Sequence, residues 1–190
     1  MKSTKKGEVV NYNLLGLDEL AEFISKTYHN YLKELIFSLE VHLGTLLKID
    51  TIKDPAITSI RNCVQELKIL LEQHVSRGEN ILFPFISKLT KNNKNPNIEP
   101  DIFSGHLIKK IKMEHAKISE IQNKIRKLSH NYSPPANSSA ALKLCYAQLF
   151  NLEQDIHKHI FVEENILFPK LLDFEKKKIR TLKNNTNEKL

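Results

Sequence analysis

One eleven-residue motif occurs twice in this chain. His74-Val-Ser-Arg-Gly-Glu-Asn-Ile-Leu-Phe-Pro84 and His159-Ile-Phe-Val-Glu-Glu-Asn-Ile-Leu-Phe-Pro169 share seven residues at an offset of 85. A shorter echo, at an offset of 86, relates His29-Asn-Tyr-Leu-Lys-Glu-Leu35 to His115-Ala-Lys-Ile-Ser-Glu-Ile121. Both copies keep His and Glu, with apolar residues at Leu32/Ile118 and Leu35/Ile121. Glu163 follows His159 by four residues, so on a helix it is rotated only ~40° and shares a face with it. Imidazole nitrogen with carboxylate oxygen, and no thiolate, suits iron, manganese or zinc rather than copper(I) or an iron–sulfur cluster.

Such groups act together only if helices carry them to one place. Apolar residues recur at helical spacing almost throughout and predict four helices, at about 18–48, 55–90, 104–129 and 138–177. Asp18 is a candidate N-cap for the first. Asp54-Pro55 reads as a stop followed by a restart, since Pro suits the first helical position. The polar stretch 91–101 and the segment Asn131-Tyr-Ser-Pro-Pro-Ala-Asn137 read as connections. No period-2 run is long enough for a sheet. The expected fold is all-α, an antiparallel four-helix bundle built from two repeated hairpins.

In an antiparallel hairpin, residues equidistant from the turn lie at one height. His29 and His74 flank position 52 by 23 and 22 residues, and His115 and His159 flank position 137 by 22 each. At ~1.5 Å per residue, all four stand on the order of 33 Å from their turns. They are therefore expected to share one level, at the bundle end away from both turns. A lone histidine on an amphipathic helix is ordinarily a packed or surface residue. Four at one level in a duplicated motif point instead to a metal site.

Composition bounds the remaining possibilities. The chain has 190 residues, two Cys, eight His and five Gly, with a formal net charge of +7. Two Cys exclude a disulfide scaffold and a Cys-rich metal site. No apolar run approaches the ~20 residues of a membrane span. The basic N-terminus lacks an apolar signal region, so a cytoplasmic protein with reduced thiols is expected. Residues 1–10 carry +2 and 175–190 carry +4, leaving +1 over 11–174. A near-neutral body with basic ends lacks the stripe of a nucleic-acid binder. The expected organisation is a basic tail over 1–17, the bundle over 18–177 and a second basic tail over 178–190.

At Tyr28-His29, His74…Glu79-Asn-Ile-Leu-Phe-Pro84, Glu114-His115 and His159-xxx-Glu163-Glu-Asn-Ile-Leu-Phe-Pro169, the chain resembles the hemerythrin-like (HHE cation-binding) family. Within it, the likeness is to the RIC-type iron–sulfur cluster repair di-iron proteins, over about residues 20–175. The resemblance implies two non-haem irons, held here by His29, His74, His115, His159 and Glu163. It implies a role in nitrosative and oxidative stress: binding or reducing NO, or releasing iron to repair damaged iron–sulfur clusters. NO, O2 and proteins with damaged clusters are the implied partners, with no nucleic acid or membrane, for a monomer or homodimer. An O2, NO or metal sensor, carrier or store without turnover is the alternative, and a bundle with a degenerate site is a third reading. No catalytic residue is assigned, and whether the protein is an enzyme stays open.

One ligand position departs from the family pattern. Gly78 stands four residues after His74, where the family has a bridging Glu. Glu79 pairs with Glu164 in the repeat and lies ~100° around the helix from position 78, so only a local π-bulge brings it inward. Gly78 reads either as drift that weakens the site or as a coordination position opened to water, oxo or a small ligand. Mono-iron and asymmetric di-iron occupancy are then both allowed. The N-terminal paired cysteines of many repair proteins have no counterpart before Cys63. Cys63 and Cys145 lie ~16 and ~21 Å along their helices from His74 and His159, and read as packed residues. By angle His42, His106 and His157 face away from the site, and His130 ends a helix. Asp155 reads either as a group orienting His159 or as a solvated carboxylate, and Tyr28 either as pocket lining or as core edge. Pro84 and Pro169 are expected to bend or end a helical turn.

Overall fold

Four runs of apolar residues at helical spacing fold into four antiparallel rods. The computed structural model describes residues 10–48, 55–91 and 100–187, with side chains described to 181 and not at 100–103. The first rod comprises α1 (Leu17–Phe23) and α2 (Asn30–Lys48), joined by a wide π turn at Ile24–His29. The second comprises α3 (Pro55–Arg77) and α4 (Phe83–Lys91), joined by a π turn at Gly78–Leu82. The third is α5 (Pro100–Leu128). The fourth comprises α6 (Ala140–Val162) and α7 (Phe168–Asn187), joined by a π turn at Glu163–Leu167. Among the described residues there is no strand, and no helix is long and apolar enough to cross a membrane.

Each π turn replaces an i→i−4 bond with a longer one. Asn30 N–H bonds Ser25 C=O, Phe83 N–H bonds Gly78 C=O, and Phe168 N–H bonds Glu163 C=O. Pro84 and Pro169 follow two of these turns and supply no N–H, so widening the preceding turn accommodates the missing donor without ending the rod. The repeated asparagines help. Asn165 Nδ2 donates to the Phe161 carbonyl at 3.0 Å, and Asn80 Nδ2 donates to Ser76 Oγ at 3.1 Å.

Neighbouring rods pack through α2 on α3, α3 on α5, α5 on α7 and α2 on α6, while α1 packs on α4. The core is in two parts. One cluster includes Leu32, Ile36, Leu71, Ile118, Leu149 and Ile156. The other includes Ile24, Tyr28, Leu82, Ile111, Val162 and Phe168. In every rod the motif histidine falls between the two sets. Cys145 is buried in the first cluster and half-buried Cys63 packs against it, as expected.

The element boundaries depart from expectation in several places. Gly16, not Asp18, occupies the first N-cap; its N–H donates to Glu19 Oε2 at 2.8 Å. Asp18 instead accepts from Thr90 Oγ1. The segment before α1 is not a free tail, because Lys170 Nζ donates to the carbonyls of Tyr12, Asn13 and Leu15 at 3.3, 2.9 and 2.6 Å. The last helix runs to Asn187, well past 177. Its lysines are good helix formers, and neither Gly nor Pro interrupts them. Asp54 and most of the expected 91–101 connection lie outside the described residues, as do residues 1–9 and 188–190.

Candidate metal centre

The four repeat histidines meet in one layer. Ring centroids lie 4.9 Å apart for His29–His159, His74–His159 and His74–His115, and 5.8 Å apart for His29–His74. All four side chains are buried, and so is Glu163. The shared level is as expected, but the layer is not at the bundle end. The second apolar cluster closes over it, because each rod continues past its histidine.

Glu163 sits at the middle of the layer. Its Oε1 lies 3.3 Å from His159 Nε2, and its Oε2 lies 3.0 Å from His115 Nε2 and 3.5 Å from His74 Nε2. His74 Nε2 and His159 Nε2 are 3.4 Å apart. His29, His74, His159 and Glu163 each bring one ligand atom to within 4.8 Å of the others. Two nitrogens sharing an ion at ~2.1 Å cannot be more than ~4.2 Å apart, so the 3.4 Å pair fits one ion as it stands. His29 Nε2 is buried without a hydrogen-bond partner, and the buried Glu163 Oε1 has only the long 3.3 Å contact to His159 Nε2. Orphaned buried polar atoms are costly, and a cation would satisfy both. The residues present therefore fit a metal ion.

Electrostatics favour the same use. Burial pushes His74 down to about 3, and burial with the neighbouring His159 pushes His29 down to about 4. Both rings are therefore neutral at neutral pH, as ligation requires. Burial works to raise the Glu163 carboxyl, but the His159 and His74 rings and the His115 hydrogen bond outweigh it and hold the group well below the usual carboxylate range. Burial likewise opposes protonation of His115, yet its hydrogen bonds to Glu163 and Glu164 win and raise it.

The remaining ring nitrogens are oriented from outside. His29 Nδ1 donates to Glu79 Oε1 at 3.2 Å, and His115 Nδ1 donates to Glu164 Oε1 at 2.7 Å. The two contacts are related by the repeat. Phe83 stacks on His29 with centroids 5.5 Å apart, and Phe168 stacks on His115 at 6.3 Å. Tyr28 stacks on His159 at 5.7 Å and bonds the Tyr12 hydroxyl at 2.8 Å. Glu114 Oε2 lies 3.9 Å from His74 Nδ1, while its Oε1 accepts from Arg77.

A π turn does widen the helix at Gly78–Leu82, but it does not bring Glu79 into the site. The carboxylate stays part-exposed, bound to His29, to Ser25 Oγ at 3.4 Å and to Lys33. It faces an open cleft of about 610 Å³ between α1 and α4. Gly78 leaves position 78 without a carboxylate, and a Cβ there would lie 3.0 Å from His29 Cε1. Sequence reasoning missed Glu114, Arg77, Lys33 and the two stacked phenylalanines. The identity of Glu79 and Phe83 with Glu164 and Phe168 in the repeat was the available signal for four of the outer contacts. Asp155 is half-buried and lies 3.5 Å from Lys158. His42 bonds Gln148, and His106, His130 and His157 are exposed.

The model of the hemerythrin HHE cation binding domain matches residues 24–171. The iron–sulfur cluster repair protein ScdA of Staphylococcus haemolyticus is 22% identical over 161 residues, covering 85% of this chain and 70% of that protein. ScdA of Staphylococcus epidermidis is 24% identical over 169 residues, covering 89% and 73%. The iron–sulfur cluster repair protein YtfE of Edwardsiella ictaluri is 26% identical over 156 residues, covering 82% and 66%. With the family model spanning all four histidines and Glu163, the chain belongs to the hemerythrin HHE cation-binding family.

Proposed function

We propose that this chain is a non-haem iron protein of the nitrosative and oxidative stress response, serving the repair of iron–sulfur clusters. The carrying observation is the buried set His29, His74, His159 and Glu163, with His115 against the other Glu163 oxygen. Relatives named as iron–sulfur cluster repair proteins support the biological role. Neutral imidazoles with one carboxylate suit ferrous and ferric iron, and the family description names a cation. When bound, iron would supply a redox-active centre able to bind NO or O2.

The residues of the chain define the rest of the role. Glu79 and Glu164 fix the rings of His29 and His115 through Nδ1, which leaves each Nε2 turned inward. The two apolar clusters above and below keep bulk water from the layer. Damaged iron–sulfur proteins are the proposed clients, and NO or O2 the proposed small ligands.

The test is anaerobic iron loading, followed by NO consumption under reductant and reactivation of an NO-damaged [4Fe–4S] enzyme. Iron retention with either activity supports the proposal. Iron retention with NO binding spectra but no turnover and no reactivation favours a sensor or store. Less than a tenth of an equivalent of iron overturns it.

A further inference from the structure

We propose that Tyr28 and Tyr12 form a radical relay, which carries an oxidising equivalent from the histidine layer to a reductant in a surface pocket. The inference rests on the iron reading above and adds to it a means of discharging peroxide.

The two halves of the bundle match around the layer except at one place. Glu79 and Glu164 bond His29 and His115 alike, and Phe83 and Phe168 stack on the same two rings. The offset of 86 pairs Tyr28 with Glu114. Glu114 brings a carboxylate to 3.9 Å from Nδ1 of His74. At the equivalent place Tyr28 lays a phenol ring on His159, with planes 7° apart and centroids 5.7 Å apart. A phenol gives up an electron and a proton far more readily than a carboxylate or a phenylalanine ring. The break in symmetry thus puts an oxidisable group face to face with a ring of the layer.

From there the path leads outward. Tyr28 is buried, but its hydroxyl is 2.8 Å from that of half-buried Tyr12. Phe23 packs edge-on against both rings, at 5.5 and 5.9 Å. Lys170 fixes the Tyr12 segment through the carbonyls of Tyr12, Asn13 and Leu15. Both tyrosines line an open pocket of about 350 Å³ that also includes His157, Lys158 and Phe161. The exposed Lys158 there favours an anionic reductant such as ascorbate.

Hydrogen peroxide is the oxidant. Its reduction to two waters takes two electrons and two protons. One electron comes from bound ferrous iron, one electron and one proton come from Tyr28, and solvent gives the other proton. The Tyr28 O–H bond breaks and a tyrosyl radical remains. Tyr12 passes its hydroxyl hydrogen atom across the contact between the two hydroxyls, which re-forms Tyr28 and moves the radical to Tyr12. The ascorbate monoanion gives a hydrogen atom to Tyr12 and leaves as its radical anion. The oxidising equivalent is then spent outside the layer, away from the imidazoles.

The experiment mixes the full-length, anaerobically iron-loaded protein with a stoichiometric amount of hydrogen peroxide and follows the radical by freeze-quench electron paramagnetic resonance. Wild type is compared with Tyr28→Phe, Tyr12→Phe and, at an exposed tyrosine, Tyr31→Phe, each checked for iron content and melting. The expected result is a tyrosyl signal in the wild type that changes shape when ring-deuterated tyrosine is incorporated. Tyr28→Phe should lose the signal and Tyr31→Phe should keep it. Tyr12→Phe should form it, but ascorbate should quench it about tenfold or more slowly. The same signal in an iron-loaded Tyr28→Phe would overturn the relay. So would an iron-loaded wild type that consumes peroxide with no tyrosyl signal, or equal quenching in Tyr12→Phe. A wild type that retains no iron would instead remove the iron reading, and the relay with it.

Discussion

The Glu79 carboxylate stands 3.2 Å from Nδ1 of His29, on the far side of the ring from the other histidines. This contact holds the imidazole with Nε2 inward while leaving the carboxylate outside the metal layer. Lys33 Nζ, at 3.1 Å, shares the same carboxylate. Glu79→Ala is expected to weaken metal binding about 10–100-fold while leaving the stoichiometry at saturation unchanged. A chelator-competition titration measures this, and unchanged affinity would show that Glu79 does not position His29.

Gly78 and Gly44 make a matched pair. Both lie in helical rods, but a Cβ at Gly44 meets nothing within 4 Å, whereas one at Gly78 meets His29 Cε1 at 3.0 Å. Gly44→Ala should stabilise the protein by roughly 0.5–1 kcal/mol through helix propensity, with metal affinity unchanged. Gly78→Ala should displace His29 and weaken metal binding, offsetting the same propensity gain. Thermal melting of the apo-proteins together with metal titration separates the two effects.

The apo-protein should lose stability on mild acidification. Histidine in the unfolded chain titrates near ~6.5, whereas His29 and His74 are pushed down to about 4 and about 3 by burial. The unfolded state therefore binds more protons below ~6.5, and stability falls as the pH drops from there toward the folded values. At pH ~5 the cost is on the order of 2 kcal/mol per ring. His115, shifted upward, works in the opposite sense and recovers part of it. Melting between pH 7.5 and 5 should show a net fall, reduced in His74→Ala.

Far from the metal layer, Arg126 Nη2 lies 2.7 Å from Oε2 of buried Glu153, and Nε lies 3.1 Å from Oε1. Removing one partner leaves a buried charge. The guanidinium is 42% exposed, so Arg126→Ala should cost roughly 1–2 kcal/mol of stability, without changing metal stoichiometry. Denaturant unfolding and metal analysis on the same sample check both halves of this statement.

The bundle and the histidine layer were legible because each depends on periodicity. Leu32, Ile36 and Leu39 mark a buried face by spacing alone, and the repeat places His29, His74, His115 and His159 at one level by counting. What the sequence hid depends on local backbone or on distance. Nothing in Ile-Ser-Lys-Thr-Tyr-His announces the π turn at Ile24–His29. The role of Glu79 required knowing that the widened turn still leaves its carboxylate on the outer nitrogen of His29. Arg77, Glu114 and Lys33 approach the site from different rods, and no single-helix pattern joins them. The position of the layer inside the bundle depended on how far each rod runs past its histidine, which turn-counting does not reveal.

Anomalous scattering at the iron edge, from crystals of anaerobically iron-loaded protein, tests the central claim most directly. The account predicts iron in the histidine layer, bounded by His29, His74, His115, His159 and Glu163. No peak in the histidine layer after loading would contradict the metal centre altogether.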